Sequence, residues 1–167
     1  IPVDSEALVP VVESAIDAKI PVVVVDGPVN SDKVTSYIAT DNEEGGYLAM
    51  KTLAELINGK GKAVVVNALA GIPSNDGREI GALKAASEYP EITMLETLRG
   101  GDQAAALQNS ENLLMATPEI AGIFAAYDRG AIGTAQALMN SGLNGKVRVV
   151  AFDASEDEIT YLKEGTI

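Results

Sequence analysis

Three short apolar runs in this sequence end on an aspartate: "IPVVVVD" closes on Asp26, "GIFAAYD" on Asp128 and "VRVVAFD" on Asp153. In each, apolar residues follow one another without alternation. A strand with one wet face alternates apolar and polar residues, whereas a run that is apolar on successive positions reads as a strand covered on both sides. Such strands belong to parallel sheets sandwiched between helices. Segments of helical periodicity separate the runs, so the order is βαβαβα. The expected class is therefore α/β, a doubly wound parallel sheet with helices on both faces.

The residue patterns place the elements. A helix is expected from about Ser5 to Ala18, with Leu8, Val11, Val12 and Ala15 on one face; Pro10 inside it either kinks it or shifts its start. Val22 to Val25 reads as a strand buried on both faces, and Val34 to Ala39 as a short extended piece. Asp41 or Asn42 caps a helix to about Ile57, and a strand follows at Ala63 to Asn67. The remaining expectations are helices from about Gly77 to Tyr89, Asp102 to Ala116, Arg129 to Asn140 and Glu156 to Lys163. Strands fall between them at Ile92 to Thr97, Gly122 to Ala126 and Val147 to Phe152. Gly45-Gly46 reads as close helix-on-sheet packing.

Charge narrows the function classes. Twelve Lys and Arg against 24 Asp and Glu give a net charge of −12, a field that repels nucleic-acid phosphates and anionic membrane surfaces. No apolar run approaches the roughly 20 residues of a membrane span, so direct membrane insertion is not expected. The chain has no Cys and no His, which removes thiol nucleophiles, histidine bases and the usual zinc ligands. It opens on Ile1 without a charged-then-apolar leader and reads as a mature or trimmed segment.

In an open parallel sheet, ligands bind outside the carboxyl ends of the strands, where side chains from several strands converge. Asp26, Asp128 and Asp153 all sit at such ends, and Asn67 sits at a fourth. The expectation is that the carboxylates line a crevice; the alternative is that each caps the turn or helix that follows. Three carboxylates could instead hold Mg²⁺. No phosphate-cradling "GxxxxGK[ST]" loop accompanies them, and "GKGKAV" precedes a strand where such a loop would follow one. No cofactor is called for.

Arg78, in "GIPSNDGREIGAL", opens a helix whose positive end it opposes. Either it pairs with Glu79 or Asp76, or its guanidinium faces Asp128 and Asp153 in the crevice. The latter arrangement sets donors beside acceptors for neighbouring hydroxyls. Tyr127 stacks on a ligand ring or donates its hydroxyl, unless it is packed with that hydroxyl in solvent.

With these residues in place, the chain resembles a sugar-binding protein of the type I periplasmic binding fold, closest to the ribose-binding group. The stretches "AKIPVVVVD", "IATDNEEGGYLA", "TPEIAGIFAAYD" and "VRVVAFDASED" carry the match, which covers essentially the whole chain. The resemblance implies a two-lobed, Venus-flytrap protein, non-enzymatic, that captures a small sugar or polyol and hands it to an ABC transporter permease. It also implies a bacterial periplasmic or lipid-anchored extracellular location. Asp26, Arg78 and Asp153 match residues that hydrogen-bond sugar hydroxyls. Tyr127 falls where an Asn often does so, Gly27 where the ribose group has an Arg, and Gly101 where an aromatic often stacks; these departures argue against ribose itself.

The resemblance further implies that residues 1–36 are the tail of the N-terminal lobe (helix, strand, crossover) and 37–167 most of the C-terminal lobe. Apolar faces on the N-terminal segment would then lack partners, and the fragment is expected to self-associate there or leave the segment disordered. Two other readings stay open. One is the effector-binding domain of a LacI-type transcription regulator, of the same fold; the other is a doubly wound hydrolase or phosphotransfer domain, for which a "GxSxG" elbow is missing.

Overall fold

Val64, Val65 and Val66 are all buried, and they divide between two separate apolar clusters, one on each side of a single sheet. The structure, a computed structural model, describes residue 2 and residues 4–167. These three valines lie in β3 (Lys60–Asn67), which pairs in parallel with β4 (Glu91–Met94), β5 (Leu98–Arg99) and β6 (Ile120–Ala125). Beyond β6 lies β7 (Arg148–Ala151), giving the order β4-β3-β6-β7 with β5 continuing the β4 side of β3.

Helices α2 (Asn42–Leu56) and α3 (Pro73–Ala86) cover one face, where Met50, Leu53, Ala82 and Ala85 meet Ala63, Val65 and Phe124. On the other face, α4 (Gln103–Ala116) and α5 (Asp128–Ser141) bring Leu113, Leu114 and Leu138 against Val64, Val66 and Ile123. The doubly wound architecture expected from the consecutive apolar runs is the one observed. A last helix, α6 (Glu156–Lys163), opens with a capping box in which Ser155 and Glu158 exchange hydrogen bonds.

A second, two-stranded parallel sheet joins β1 (Val23–Val25) to β2 (Ser36–Ile38), preceded by α1 (Val9–Asp17). Here the expectation of a strand buried on both faces is corrected. Val24 is 5% exposed but Val23 is 53% and Val25 45% exposed, because no second layer covers their side of β1 among the described residues. Helix α1 begins at Val9, with Pro10 in its first turn, so the proline sets the start of the helix and does not kink it.

Several boundaries moved for identifiable reasons. Helix α3 starts at Pro73 and not near Gly77, because a proline at the first helical position is pre-set for the helix. The strand expected at Ile92 to Thr97 is split, and Thr97 turns its hydroxyl to the Glu79 carboxylate. Asp41, not Asn42, caps α2, accepting from the Glu44 N–H at 3.0 Å.

The Gly45-Gly46 pair serves two contacts. A Cβ on Gly45 would lie 2.8 Å from the Phe152 ring just past β7, whereas one on Gly46 would lie 1.9 Å from the Arg78 carbonyl oxygen. The packing at Gly46 is thus helix on helix: α2 and α3 meet backbone to backbone, with Gly81 pressed in the same way against the Glu43 carbonyl.

Candidate functional site

The carboxyl ends of β6 and β7 and the amino ends of α2 and α3 converge on one side chain, Arg78. Its Nε donates to Asn42 Oδ1 at 2.9 Å and its Nη1 to the Ala126 carbonyl at 2.7 Å. The guanidinium carbon lies over the Phe152 ring, 3.7 Å from its centroid. Nη1 stands 3.6 Å from Asp153 Oδ2, an ion pair longer than a hydrogen bond. The Arg78 side chain is 10% exposed and that of Asp153 is 43% exposed, so the base is fixed while its acid still faces solvent.

The electrostatics follow from this placement. Burial lowers the Arg78 pKa, and Asp153, Asp26 and Asp128, in that order, oppose the shift. Asp153 is the one of the three that pairs with the guanidinium directly, at 3.6 Å. The alternative pairing of Arg78 with Glu79 or Asp76 does not form: Asp76 accepts from the Gly71 N–H, and Glu79 binds Arg99.

The recurrence of Asp at the run ends has two local causes. Asp26 and Asp153 take positive φ, 67° and 83°, a left-handed conformation that Asp and Asn tolerate better than most side chains. Each ends its strand with a sharp turn that re-aims the chain. Asp128 is instead the first residue of α5, where its charge meets the positive end of the helix.

Tyr127 lies on the other face of the sheet, in the cluster with Val66 and Ile123. Its hydroxyl donates to the Gly100 carbonyl at 2.6 Å, and its ring covers Gly130, where a Cβ would come within 2.5 Å. Burial pushes the phenol pKa up. The structure thus pairs Arg78 with Asp153, sets Asp26 just past β1 and Asp128 at the start of α5, and leaves the Tyr127 hydroxyl engaged within the fold. Asn67, at the end of β3, is fully buried with both ends of its amide hydrogen-bonded.

Two contributors escaped the sequence. Asn42 and Phe152 shape the seat of Arg78, yet Asn42 read as a helix cap and Phe152 as the end of an apolar run. Asn42 lies beside its cap residue, and only the fold brings it to Arg78, 36 positions away.

Gly27 is buried, and a Cβ there would lie 1.8 Å from the Pro2 carbonyl oxygen, so no side chain fits. Gly101 is less confined: a Cβ would meet only Leu69, at 3.5 Å. Among the described residues, no group of three or more acidic side chains comes together as a metal-holding set. A groove of about 460 Å³ runs along the edge of β7 between α2 and α6 and meets the strand ends at Asp153 and Ala154. Its apolar walls do not share the chemistry of the strand ends.

Residues 1–167 match the protein family described as "Periplasmic binding protein domain". The ribose import binding protein of Salmonella typhimurium is 31% identical over 166 residues, 99% of this chain and 56% of the relative. An ABC transporter periplasmic solute binding protein from Actinobacillus succinogenes 130z, solved with bound D-allose, is 37% identical with a TM-score of 0.92. That match covers 98% of this chain and 60% of the other. A solute binding protein from Agrobacterium vitis with bound D-fucose is 32% identical with a TM-score of 0.89, covering 98% and 58%. The chain spans about half the length of the curated relatives it matches.

Proposed function

Because the chain belongs to the periplasmic binding protein domain family, we propose that it forms the greater part of the ligand crevice of a solute-binding protein serving an ABC importer. The ligand is a neutral sugar or polyol. Asp26, Asp128 and Asp153 accept from its hydroxyls, and Arg78 donates to its oxygens. Relatives solved with D-allose and D-fucose support this ligand class. The family's named compartment supports a bacterial periplasmic location. Nothing in these relatives favours a LacI-type regulator.

One observation carries the reading: a guanidinium immobilised by Asn42, Ala126 and Phe152 with an open carboxylate 3.6 Å away. Fixed donors beside exposed acceptors fit a ligand whose groups both donate and accept, which is what vicinal hydroxyls do. The net charge of three carboxylates against one guanidinium disfavours anionic ligands.

Residues 1–36 belong to one lobe and 37–167 to the other, with the chain crossing around β2. Asp26 then comes from the first lobe, while Arg78, Asp128 and Asp153 come from the second. A ligand that touches both has greater affinity for the closed state and shifts the population toward it. Tyr127 serves the wall of the crevice through Gly100 and not the ligand directly.

A thermal-shift screen of the native protein against D-ribose, D-allose, D-fucose, D-arabinose and xylitol, with Arg78→Ala alongside, tests the reading. A ligand at 100 times its Kd stabilises the native state by about 2.7 kcal/mol. A shift abolished by the substitution is the expected result; silence across neutral sugars with a response to anions would overturn it.

A further inference from the structure

Glu79 follows Arg78 in sequence but faces the other way, into a network that the crevice does not use. Its Oε1 accepts from Thr97 Oγ1 at 2.7 Å, and its Oε2 accepts from Asn67 Nδ2 at 2.9 Å. Arg99 Nη2 reaches both oxygens, at 2.9 and 2.8 Å. Asn67 extends the network to the first turn of α3, donating to the Asn75 carbonyl at 3.0 Å and accepting from Asn75 Nδ2 at 3.2 Å.

This matters because α3 has no side-chain hydrogen bond at its N-cap, Ile72. Besides the Gly71 N–H bond to Asp76, side chains hold its first two turns from two flanks. On one flank Arg78 binds Ala126 and Asn42, and the bare backbones of α2 and α3 touch at Gly46 and Gly81. On the other flank stands the Glu79 network. Consecutive helical residues point about 100° apart, so whatever fixes one direction fixes the next. Backbone contact without intervening side chains permits sliding and rotation unless something opposes it, and the Glu79 carboxylate tied to β3 and β5 does so.

We infer that Glu79, with Arg99 and Thr97, is a positioning residue for the crevice, setting the rotation of α3 that keeps the Arg78 guanidinium seated against Ala126 and Asn42. The inference rests on Arg78 serving the ligand, but the seating itself can be read without any ligand.

The test uses the native protein, ¹⁵N-labelled, and follows hydrogen exchange of the Arg78 Nε–H, assigned by its loss in Arg78→Lys. Glu79→Gln and Arg99→Met are expected to accelerate that exchange by about tenfold while unfolding remains cooperative. They are also expected to weaken D-allose binding by about tenfold by calorimetry. Thr97→Val, which leaves the carboxylate its other donors, should have a smaller effect on both and carries the test with Arg99→Met if Glu79→Gln fails to fold.

A lowered thermal midpoint with unchanged Nε–H exchange in all three variants would overturn the inference, because a merely structural pair would behave so. If Arg78→Ala abolishes D-allose binding while the network variants change neither exchange nor affinity, the positioning role falls and the ligand reading stands. If exchange accelerates but no sugar or polyol of the thermal-shift panel binds parent or variants, while anions do, the positioning role stands and the ligand reading falls.

Discussion

The guanidinium carbon of Arg78 lies 3.7 Å from the centroid of the Phe152 ring, and Gly45 leaves no room for a Cβ beside that ring, at 2.8 Å. Phe152 is therefore a floor: it packs against α2 and lies under the buried Arg78. Phe152→Leu keeps much of the volume and removes the π face. A partly desolvated cation–π contact contributes about 0.5–2 kcal/mol, and a loss in that range is expected in urea unfolding. A variant as stable as the parent would reduce the stacking to mere contact.

Arg78 joins three elements through one fork, which a lysine cannot imitate. Lys has neither the planar fork nor the Nε–H that Asn42 accepts, so Arg78→Lys should lose ligand affinity nearly as fully as Arg78→Ala. Hydrogen bonds to charged groups contribute about 1.5–3 kcal/mol each, which corresponds to a loss of roughly tenfold or more in affinity by titration calorimetry. Retention of full affinity by Lys would mean that charge alone suffices.

The approach of α2 to α3 leaves no room for a methyl group at Gly81, where a Cβ would lie 1.8 Å from the Glu43 carbonyl oxygen. The obstacle is backbone and cannot swing away. Overpacking of this kind costs about 1–3 kcal/mol or more, and Gly81→Ala is expected at the upper end by chemical denaturation. Because the two helices then part, the Arg78 seat at Asn42 should open as well. Stability within about 0.5 kcal/mol of the parent would show that the helices can separate at little cost.

Much of this was legible in the sequence because it rests on short-range rules. Consecutive apolar residues at Val64 to Val66 fit a strand covered on both sides, and Asp41, one of two candidate caps, and Asp102, the expected helix start, do cap their helices. The strand-end position of Arg78's three acids also followed from the order of elements. What escaped depends on contacts between distant segments: the Asn42 acceptor, the Phe152 floor and the Arg99 partner of Glu79 lie 36, 74 and 20 residues from the groups they serve. The Val22 to Val25 run misled because composition speaks of the cover a strand needs, not of the cover present, and among the described residues β1 pairs with β2 alone.

Glu79 also predicts an acid dependence. Burial alone would raise its pKa, but hydrogen bonds from Thr97 and Asn67, and the charge and hydrogen bonding of Arg99, outweigh it and leave the value below the ordinary 4.5. A carboxyl with a depressed folded-state pKa stabilises the fold above its unfolded value, and that contribution is lost as the pH falls through the folded one. Stability measured by urea should therefore decline from about pH 4.5 downward, and Glu79→Gln should flatten this part of the profile. An identical acid limb in the variant would mean that other carboxylates account for it.

Tyr127 separates the role of a strand-end residue in packing from a role in binding. Its hydroxyl is buried and has one acceptor, the Gly100 carbonyl at 2.6 Å. Tyr127→Phe keeps the ring over Gly130 and removes only that donor, leaving a buried carbonyl without it. The expected loss is about 1–3 kcal/mol in unfolding. Under the proposed function, affinity for a sugar should stay within about twofold, since the ring lies on the α4–α5 face while Arg78 lies on the α2–α3 face. Large loss of affinity with little loss of stability would instead place the Tyr127 hydroxyl on the ligand, and would require it to leave Gly100 on binding.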